Sequence, residues 1–184
     1  MSPKATDIHQ ALIDGCRNGD RKAQYELYNL YAKQMYNVCL RIVNHMGKAE
    51  DILQESFVDA FRRIKDFRGE ASFGSWLKRI VVNKSINSLR KRQFDMFGGF
   101  DDFEHLPDEA EDIEEQNLTA LRLMQLVSEL PDGYRLVLTL HLFEDYKHSE
   151  IAAMLNITES TSKSQYNRAK ARIREQLKKT EYAG

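Results

Sequence analysis

Apolar residues recur at spacings of three and four along most of the chain, which is the period of an amphipathic α-helix. One long helix is predicted from RKAQYELYNLYAKQMYNVCLRIVNH, after Asp20, whose carboxylate can cap a helix N-terminus. Its apolar stripe consists of Leu27, Leu30, Tyr31, Met35, Val38 and Ile42. A second helix is predicted from KAEDILQESFVDAFRRI, with an inner face formed by Ile52, Leu53, Phe57, Ala60, Phe61 and Ile64.

A third helix is expected to begin near Ser72, after the pattern breaks at Gly69. Its inward positions are Phe73, Trp76, Leu77, Ile80, Val81 and Leu89. Because Trp76 belongs to this stripe, we expect it to pack in the core rather than to stack on a nucleic-acid base. Short connections join the three helices, and this arrangement favours an antiparallel bundle.

The C-terminal third has the spacing of a helix-turn-helix motif. A leucine-rich helix is expected to end before Pro131, and Asp132 can cap the next one, YRLVLTLHLF. Further on, Asn156 stands at a tight turn that needs a left-handed conformation, and Thr158 can cap the helix after it. The inner positions of these last two helices are Ile151, Ala152, Leu155, Tyr166, Ala169 and Ile173. Four side chains that can donate to bases or phosphates are expected to face outward: Lys163, Ser164, Asn167 and Arg168.

The formal net charge of −1 conceals three blocks of opposite sign. Residues 62–92 carry ten Lys or Arg against two acids, and residues 163–179 carry seven against one. Between these blocks, residues 95–115 hold ten acids and no Lys or Arg. We therefore predict an all-α protein with two small helical domains, 1–92 and 118–180, joined by a flexible acidic linker at 93–117. The basic blocks indicate nucleic-acid contact by both domains, although solvated helix faces would give the same pattern.

Composition and motifs exclude several other classes of protein. With only three prolines and no strict alternation, an all-β fold is not expected. Cys16 and Cys39 have no metal-site spacing and are interpreted as reduced, packed thiols. The chain has no secretory h-region and no apolar run long enough to cross a membrane, so we expect a cytoplasmic protein.

Enzymatic chemistry is not indicated. The chain has no GxxxxGK or GxGxxG loop, and its five histidines form neither an HExxH nor an ExxH pair. His141 and His148 are interpreted as ordinary surface or packing residues. We therefore expect no catalytic residue, no metal, no cofactor and no small-molecule substrate.

The order of the motifs resembles that of extracytoplasmic-function sigma factors, the two-domain subunits that give bacterial RNA polymerase its promoter specificity. AEDILQESFVDAFRRIKDFRGEASFGSWLKRIVVNKSIN is similar to the second sigma region, and LPDGYRLVLTLHLFEDYKHSEIAAMLNITESTSKSQYNRAKARI is similar to the fourth. The resemblance covers about residues 10–92 and 118–178. It departs from the family pattern at Ser162 and Gln165, where an aliphatic residue and an arginine are common.

What the resemblance implies is a transcription initiation factor that binds core polymerase, recognises the −10 and −35 promoter elements and assists DNA melting. The residues that would dock on the polymerase clamp helices are Asp51, Gln54 and Glu55. Those that would contact the −10 element are Arg68, Ser72, Lys78, Arg79, Asn83, Lys84, Asn87 and Arg90. Those that would contact the −35 element are Thr161, Lys163, Ser164, Asn167 and Arg168. The loop that holds a flipped −10 base in this family would be flanked by Phe67, Arg68, Glu70 and Ser72.

The partners implied are core RNA polymerase, through its clamp helices and flap, promoter DNA as duplex and as melted strand, and an anti-sigma factor. A monomer is expected when the protein is free of polymerase. From the residues alone, Asp51 and Glu55 are better explained as a solvated acidic face near a helix start, stabilised by the helix dipole. Two other functions stay open on the same grounds: a stand-alone helix-turn-helix regulator, and a protein-interaction bundle that does not bind DNA.

Overall fold

The computed structural model describes residues 6–97 and 120–181, and all regular structure in these two ranges is helical. The first range contains α1 (Thr6–Arg17), α2 (Arg21–Val43), α3 (Met46–Arg62), a 3₁₀ turn (Ile64–Asp66) and α4 (Phe73–Phe97). The second contains α5 (Ala120–Ser128), α6 (Asp132–Leu138), a π turn (Thr139–Phe143), α7 (His148–Leu155) and α8 (Glu159–Glu181). The prediction of an all-α fold is confirmed.

Packing divides the chain into two compact units, residues 1–98 and 99–184. The predicted domain boundary at residue 92 falls inside α4, which continues to Phe97 because no glycine or proline interrupts the chain before Gly98. The rest of the predicted linker, residues 98–117, lies outside the described residues. The three-part division with its linker therefore stays a prediction.

Local capping fixes where the helices of the N-terminal unit begin and end. The Asp20 carboxylate accepts a hydrogen bond from the backbone N–H of Lys22 at 2.8 Å, which confirms the predicted cap of α2. Asn44 ends that helix in the left-handed conformation, with a φ of 51°. His45 then caps α3, because its Nδ1 accepts from the backbone N–H of Lys48 at 3.2 Å.

The core of the N-terminal unit is formed by the apolar faces of four helices. Its largest fully buried side chains are Leu27, Met35, Val38, Ile42, Leu77, Val81 and Val82. The prediction for Leu30 was wrong: its side chain is 54% exposed, because it lies on the side of α2 that the other described helices leave open to solvent. The sequence pattern also did not predict α1, which contributes Ile13 and Cys16 to the core.

Both cysteines are buried free thiols, as their spacing predicted. Burial raises the pKa of Cys39 to about 11, so its thiol stays protonated at neutral pH. Burial, followed by the nearby Asp20 carboxylate, also raises the pKa of Cys16. Both residues are therefore packing residues with low thiolate reactivity.

The C-terminal unit packs α5, α6 and α7 against α8. The buried cluster at its centre consists of Leu126, Val127, Leu130, Leu138, Ala169 and Ile173. Asp132 does not cap α6 as predicted: it is the first helical residue, and its carboxylate accepts a hydrogen bond from Arg135 at 2.5 Å. Arg135 is only 4% exposed and also donates to the carbonyl oxygen of Leu130 at 2.8 Å. Asp132 and Arg135 thus form an i,i+3 ion pair within the first turn of α6, and Pro131 takes the position before the helix.

Candidate nucleic-acid and polymerase interface

The acidic face predicted on α3 is present and open to solvent. Asp51, Gln54 and Glu55 are all exposed and lie within about one helical turn. The helix begins at Met46, so neither carboxylate lies in its first turn, where a helix dipole acts. The dipole therefore does not explain these acids, and their exposure leaves them available to a binding partner.

Lys84 of α4 links this acidic face to the neighbouring helix. Its Nζ lies 2.7 Å from Oδ2 of Asp59 and 3.5 Å from Oε2 of Glu55. The hydrogen bond from Lys84 holds the pKa of the Asp59 carboxyl below its usual value, and the same bond raises the pKa of Lys84. Lys84 thus serves as a crosslink between α3 and α4.

This crosslink gives Lys84 a structural role that its position in the sequence did not predict. Its ammonium group faces two carboxylates of α3, so its charge is already partly neutralised within the protein. Asp59, which holds it, was missed because its partner is on another helix and 25 positions away in the chain. A shallow groove runs along this junction, lined by Gln54, Glu55, Val58, Asp59, Arg62 and Lys84. Val58 is 48% exposed in that groove and adds an apolar surface beside the acids.

The outer side of α4 carries the polar residues predicted for DNA contact. Arg79, Asn83, Asn87 and Lys91 are all exposed and follow one another at i,i+4 spacing, so they form a single ridge. Lys78 and Arg90 are half-buried beside this ridge. From Phe73 to Phe94 the chain contains no acidic residue. The ridge therefore presents amides and cations on a helix whose own sequence supplies no neutralising carboxylate before Asp95.

A loop of five exposed residues, 68–72, leads into α4. Gly69 turns the chain there with a φ of 74°, a conformation that side chains disfavour. Ser72 caps α4, because its Oγ accepts from the backbone N–H of Ser75 at 3.2 Å. Phe67 before the loop and Phe73 after it are both buried, and their rings lie 5.7 Å apart at 85°.

Trp76 packs against the two phenylalanines that flank this loop. Its ring centroid is 5.5 Å from that of Phe67 and 5.7 Å from that of Phe73. Such aromatic contacts stabilise a core beyond the area they bury. The prediction that Trp76 is a packing residue is confirmed.

The helix-turn-helix geometry agrees with its predicted turn and caps. Asn156 adopts the left-handed conformation (φ 56°, ψ 44°) and ends α7. Thr158 caps α8, because its Oγ1 accepts from the backbone N–H of Thr161 at 3.0 Å. Ala152 is buried where α7 approaches α8, so a small side chain is needed there.

The outward residues predicted on α8 differ in how far they reach solvent. Lys163 is exposed and forms an ion pair with Glu159 at 2.8 Å. The Thr161 hydroxyl contacts that of Thr158 at 2.8 Å. The remaining three, Ser164, Asn167 and Arg168, are half-buried rather than fully outward.

Ser162, one of the two departures from the family pattern, is fully buried. Its hydroxyl is hydrogen-bonded to Nδ1 of His148 at 2.9 Å. His148 stacks on His141 with ring centroids 4.1 Å apart, and both rings meet the edge or face of Tyr166. Burial, followed by the charge that His141 can carry, lowers the pKa of His148. The serine is thus part of a polar cluster that replaces an aliphatic contact.

Neither a metal centre nor a membrane span emerges from the parts of the chain that the structure describes. Within residues 6–97 and 120–181, no three His, Cys, Asp or Glu side chains converge as a metal site would require. No helix described here combines the length and the apolar character needed to cross a bilayer.

Comparisons with known proteins agree with this geometry. The family model of Sigma-70 region 2 matches residues 27–94, and that of Sigma-70 region 4 matches residues 120–173. The chain is 30% identical over 177 residues to the ECF RNA polymerase sigma factor SigW of Bacillus subtilis, covering 90% of this chain and 95% of that relative. It is also 30% identical over 190 residues to the ECF RNA polymerase sigma-E factor of Haemophilus influenzae, covering 96% and 98% of the two chains.

Solved structures show the same fold. The sigma factor RpoE of Bartonella quintana, in complex with the anti-sigma factor NepR, superposes with a TM-score of 0.55 at 22% identity, covering 84% of this chain and 96% of that one. CnrH, in complex with the cytosolic domain of CnrY, gives a TM-score of 0.53 at 19% identity, covering 94% and 98%.

Proposed function

Because the chain belongs to the extracytoplasmic-function family of sigma-70 factors, which direct RNA polymerase to promoters, we propose that its N-terminal unit reads and opens the −10 element through the α4 ridge. The observation that carries this proposal is the ridge itself: Arg79, Asn83, Asn87 and Lys91 are exposed and consecutive at i,i+4 spacing, and α4 contains no acidic residue before Asp95. Cations neutralise phosphates, and amides can hydrogen-bond an adenine or an extruded base.

The loop at residues 68–72 completes this surface. Its residues are exposed, it leads directly into α4, and two buried aromatic rings fix its ends. We assign to this loop the binding of the unpaired −10 base, as the resemblance to the family implies. Arg68 is the exposed cation of this loop. Ser72 is also exposed, but its Oγ already accepts the hydrogen bond that caps α4, so only the remaining hydrogen-bonding capacity of its hydroxyl can serve DNA.

Polymerase docking is assigned to the acidic face of α3. Asp51 and Gln54 are exposed, and Glu55 borders the groove that also exposes Val58. Apolar surface ringed by charges is typical of protein interfaces. Lys84 is assigned to this side of the unit, where it holds Asp59 and Glu55 in place, rather than to the DNA.

The C-terminal unit is assigned to the −35 element through α8. A helix presented by this motif enters the major groove with its N-terminal half nearest the bases. Lys163 and Arg168 lie in that half, and Arg168 can donate to a guanine. An anti-sigma factor is a further expected partner, since the similar RpoE structure is a complex with one.

Strand opening tests the proposal most directly. Asn83→Ala and Asn87→Ala should each reduce the permanganate reactivity of unpaired thymines in a complex of the chain with core polymerase and promoter DNA. Affinity for core polymerase should stay unchanged, because neither residue belongs to the acidic face of α3 that we assign to docking. Ser88→Ala, a half-buried neighbour on α4 outside the ridge, is the matched control. Footprints at the wild-type level from both asparagine variants would contradict the proposal.

A further inference from the structure

Helix α1, which the hydrophobic pattern did not reveal, lies against the entrance of the loop at residues 68–72. Nη2 of Arg17 donates to the carbonyl oxygen of Phe67 at 2.6 Å, across 50 positions of sequence. Nη1 of the same guanidinium is held by Oδ1 of Asp14 at 2.8 Å. The contact with Phe67 is partly buried, so the hydrogen bond is protected from competing water. Arg17 thus fixes the last backbone group before the loop begins.

A second connection from α1 reaches the exit of the loop. His9 is hydrogen-bonded to the hydroxyl of Tyr31 at 2.8 Å, and the Tyr31 ring lies 5.4 Å from that of buried Phe73. Tyr31 also covers the first turn of α4 closely: a Cβ on Gly74 would lie 2.9 Å from its Cε1. Any side chain at position 74 would therefore displace the ring that supports the exit of the loop.

The two connections meet at the ring pair that closes the loop. Phe67 and Phe73 pack edge to face at 5.7 Å, so five exposed residues span a gap whose two ends are fixed. Short loops with fixed ends have few conformations. A fixed loop would bind an unpaired base without first being ordered, which removes an entropic cost from binding.

We propose that α1 is a brace that sets the conformation of the 68–72 loop, and that Arg17 is a positioning residue for capture of the unpaired −10 base. The inference rests on the proposed function of that loop. Arg17 acts through the Phe67 carbonyl and need not touch DNA itself.

The test compares intact and abasic DNA. Holoenzyme is assembled from core polymerase and the full chain, and its affinity is measured for fork-junction DNA from a promoter that the holoenzyme transcribes. Each base of the single-stranded −10 segment is replaced in turn by an abasic site. The position at which wild-type protein loses most affinity is the captured base.

On intact DNA, Arg17→Ala should bind about tenfold more weakly than wild-type protein. On DNA that is abasic at the captured position, the variant and wild-type protein should bind with equal affinity. Arg17→Lys, which can still donate one hydrogen bond, should recover about half of that loss on a logarithmic scale. Arg21→Ala removes the same charge from an exposed site at the start of α2 and is the matched control. Tyr31→Phe tests the exit of the loop, and a selective loss of about threefold is expected.

Three results would overturn the inference. One is an unchanged affinity of the folded Arg17→Ala variant; another is an equal loss on intact and abasic DNA, which would indicate a general effect on the unit. If Arg17→Ala does not fold, the third result applies: wild-type affinities of both Arg17→Lys and Tyr31→Phe for intact and abasic DNA would also overturn the inference. Failure of the proposed loop function looks different, because wild-type protein itself would then show no abasic-sensitive position.

Discussion

Replacing Lys84 by methionine separates its two interpretations, as a phosphate contact and as a crosslink between α3 and α4. The substitution keeps the aliphatic stem and removes only the ammonium, which lies 2.7 Å from Asp59 Oδ2. The side chains of Lys84 and Asp59 are 27% and 39% exposed, so solvent screens the pair substantially. An ion pair of this kind contributes up to about 1 kcal/mol.

A loss at the upper end of this range corresponds to a fall of about 4–8 °C in melting temperature for a unit of this size, and a smaller loss to a proportionally smaller fall. Trp76 is the single tryptophan of the chain and lies in the N-terminal unit, so its fluorescence follows the unfolding of that unit alone. Asp59→Asn should cost a similar amount, and the double variant should cost no more than either, because the two residues act as a pair.

The acid dependence of this effect follows from the direction of the Asp59 shift. Its folded pKa lies below the usual value, so the pair stabilises the folded state above an unfolded pKa of about 3.9. That contribution is lost as the pH falls through the folded pKa. The melting temperatures of wild-type protein and Lys84→Met should therefore converge in acid.

DNA binding by the holoenzyme supplies the contrasting measurement. Lys84→Met should leave the salt dependence of promoter affinity unchanged. Arg79→Gln on the exposed ridge should instead reduce the steepness of the plot of log affinity against log salt concentration by about 0.9, the value for one phosphate that the protein no longer neutralises. The crosslink account would be refuted if Lys84→Met lowered the slope as Arg79→Gln does and left the melting temperature unchanged.

Three further predictions follow from the other surfaces. Charge reversal at Asp51 and Glu55 should abolish co-purification with core polymerase without changing helical circular dichroism; a folded double variant that still binds core would refute the docking assignment. Arg168→Ala should cost about 1–3 kcal/mol and relax specificity at one −35 position, whereas Lys178→Ala should weaken binding to all sequences alike; a uniform loss in both would make Arg168 a phosphate contact. His148 has a folded pKa below 6.5, so the C-terminal unit should lose stability as the pH falls below about 6.5, and His148→Gln should flatten this dependence; an NMR titration giving a pKa at or above 6.5 would contradict it.

Features that depend on neighbouring residues in the chain could be predicted from the sequence. Asp20 and Thr158 cap their helices, and Asn156 takes the left-handed conformation, because each of these interactions joins residues within one turn. The period of the apolar residues was equally local, and it predicted α2, α3 and α4 together with most of their buried faces.

Features that depend on contacts between helices could not be predicted in this way. An apolar stripe on one helix does not show how much of that stripe the neighbouring helices cover. Leu30 was therefore expected in the core but is exposed. The partners of Lys84 and Ser162 lie on other helices, and no spacing rule connects them. The predicted cap at Asp132 missed by one position, since the helix begins at Asp132 itself and its carboxylate accepts from the buried Arg135.

The central claim, that this chain directs RNA polymerase to promoters, is tested most directly by transcription from a random-sequence DNA library. Core polymerase is incubated with the library, with and without the protein, and the 5′ ends of the transcripts are mapped. The account predicts new start sites that appear only with the protein and that share two upstream elements at a fixed separation, near −10 and −35. Start sites identical to those of core polymerase alone, or new sites without common upstream elements, would contradict it.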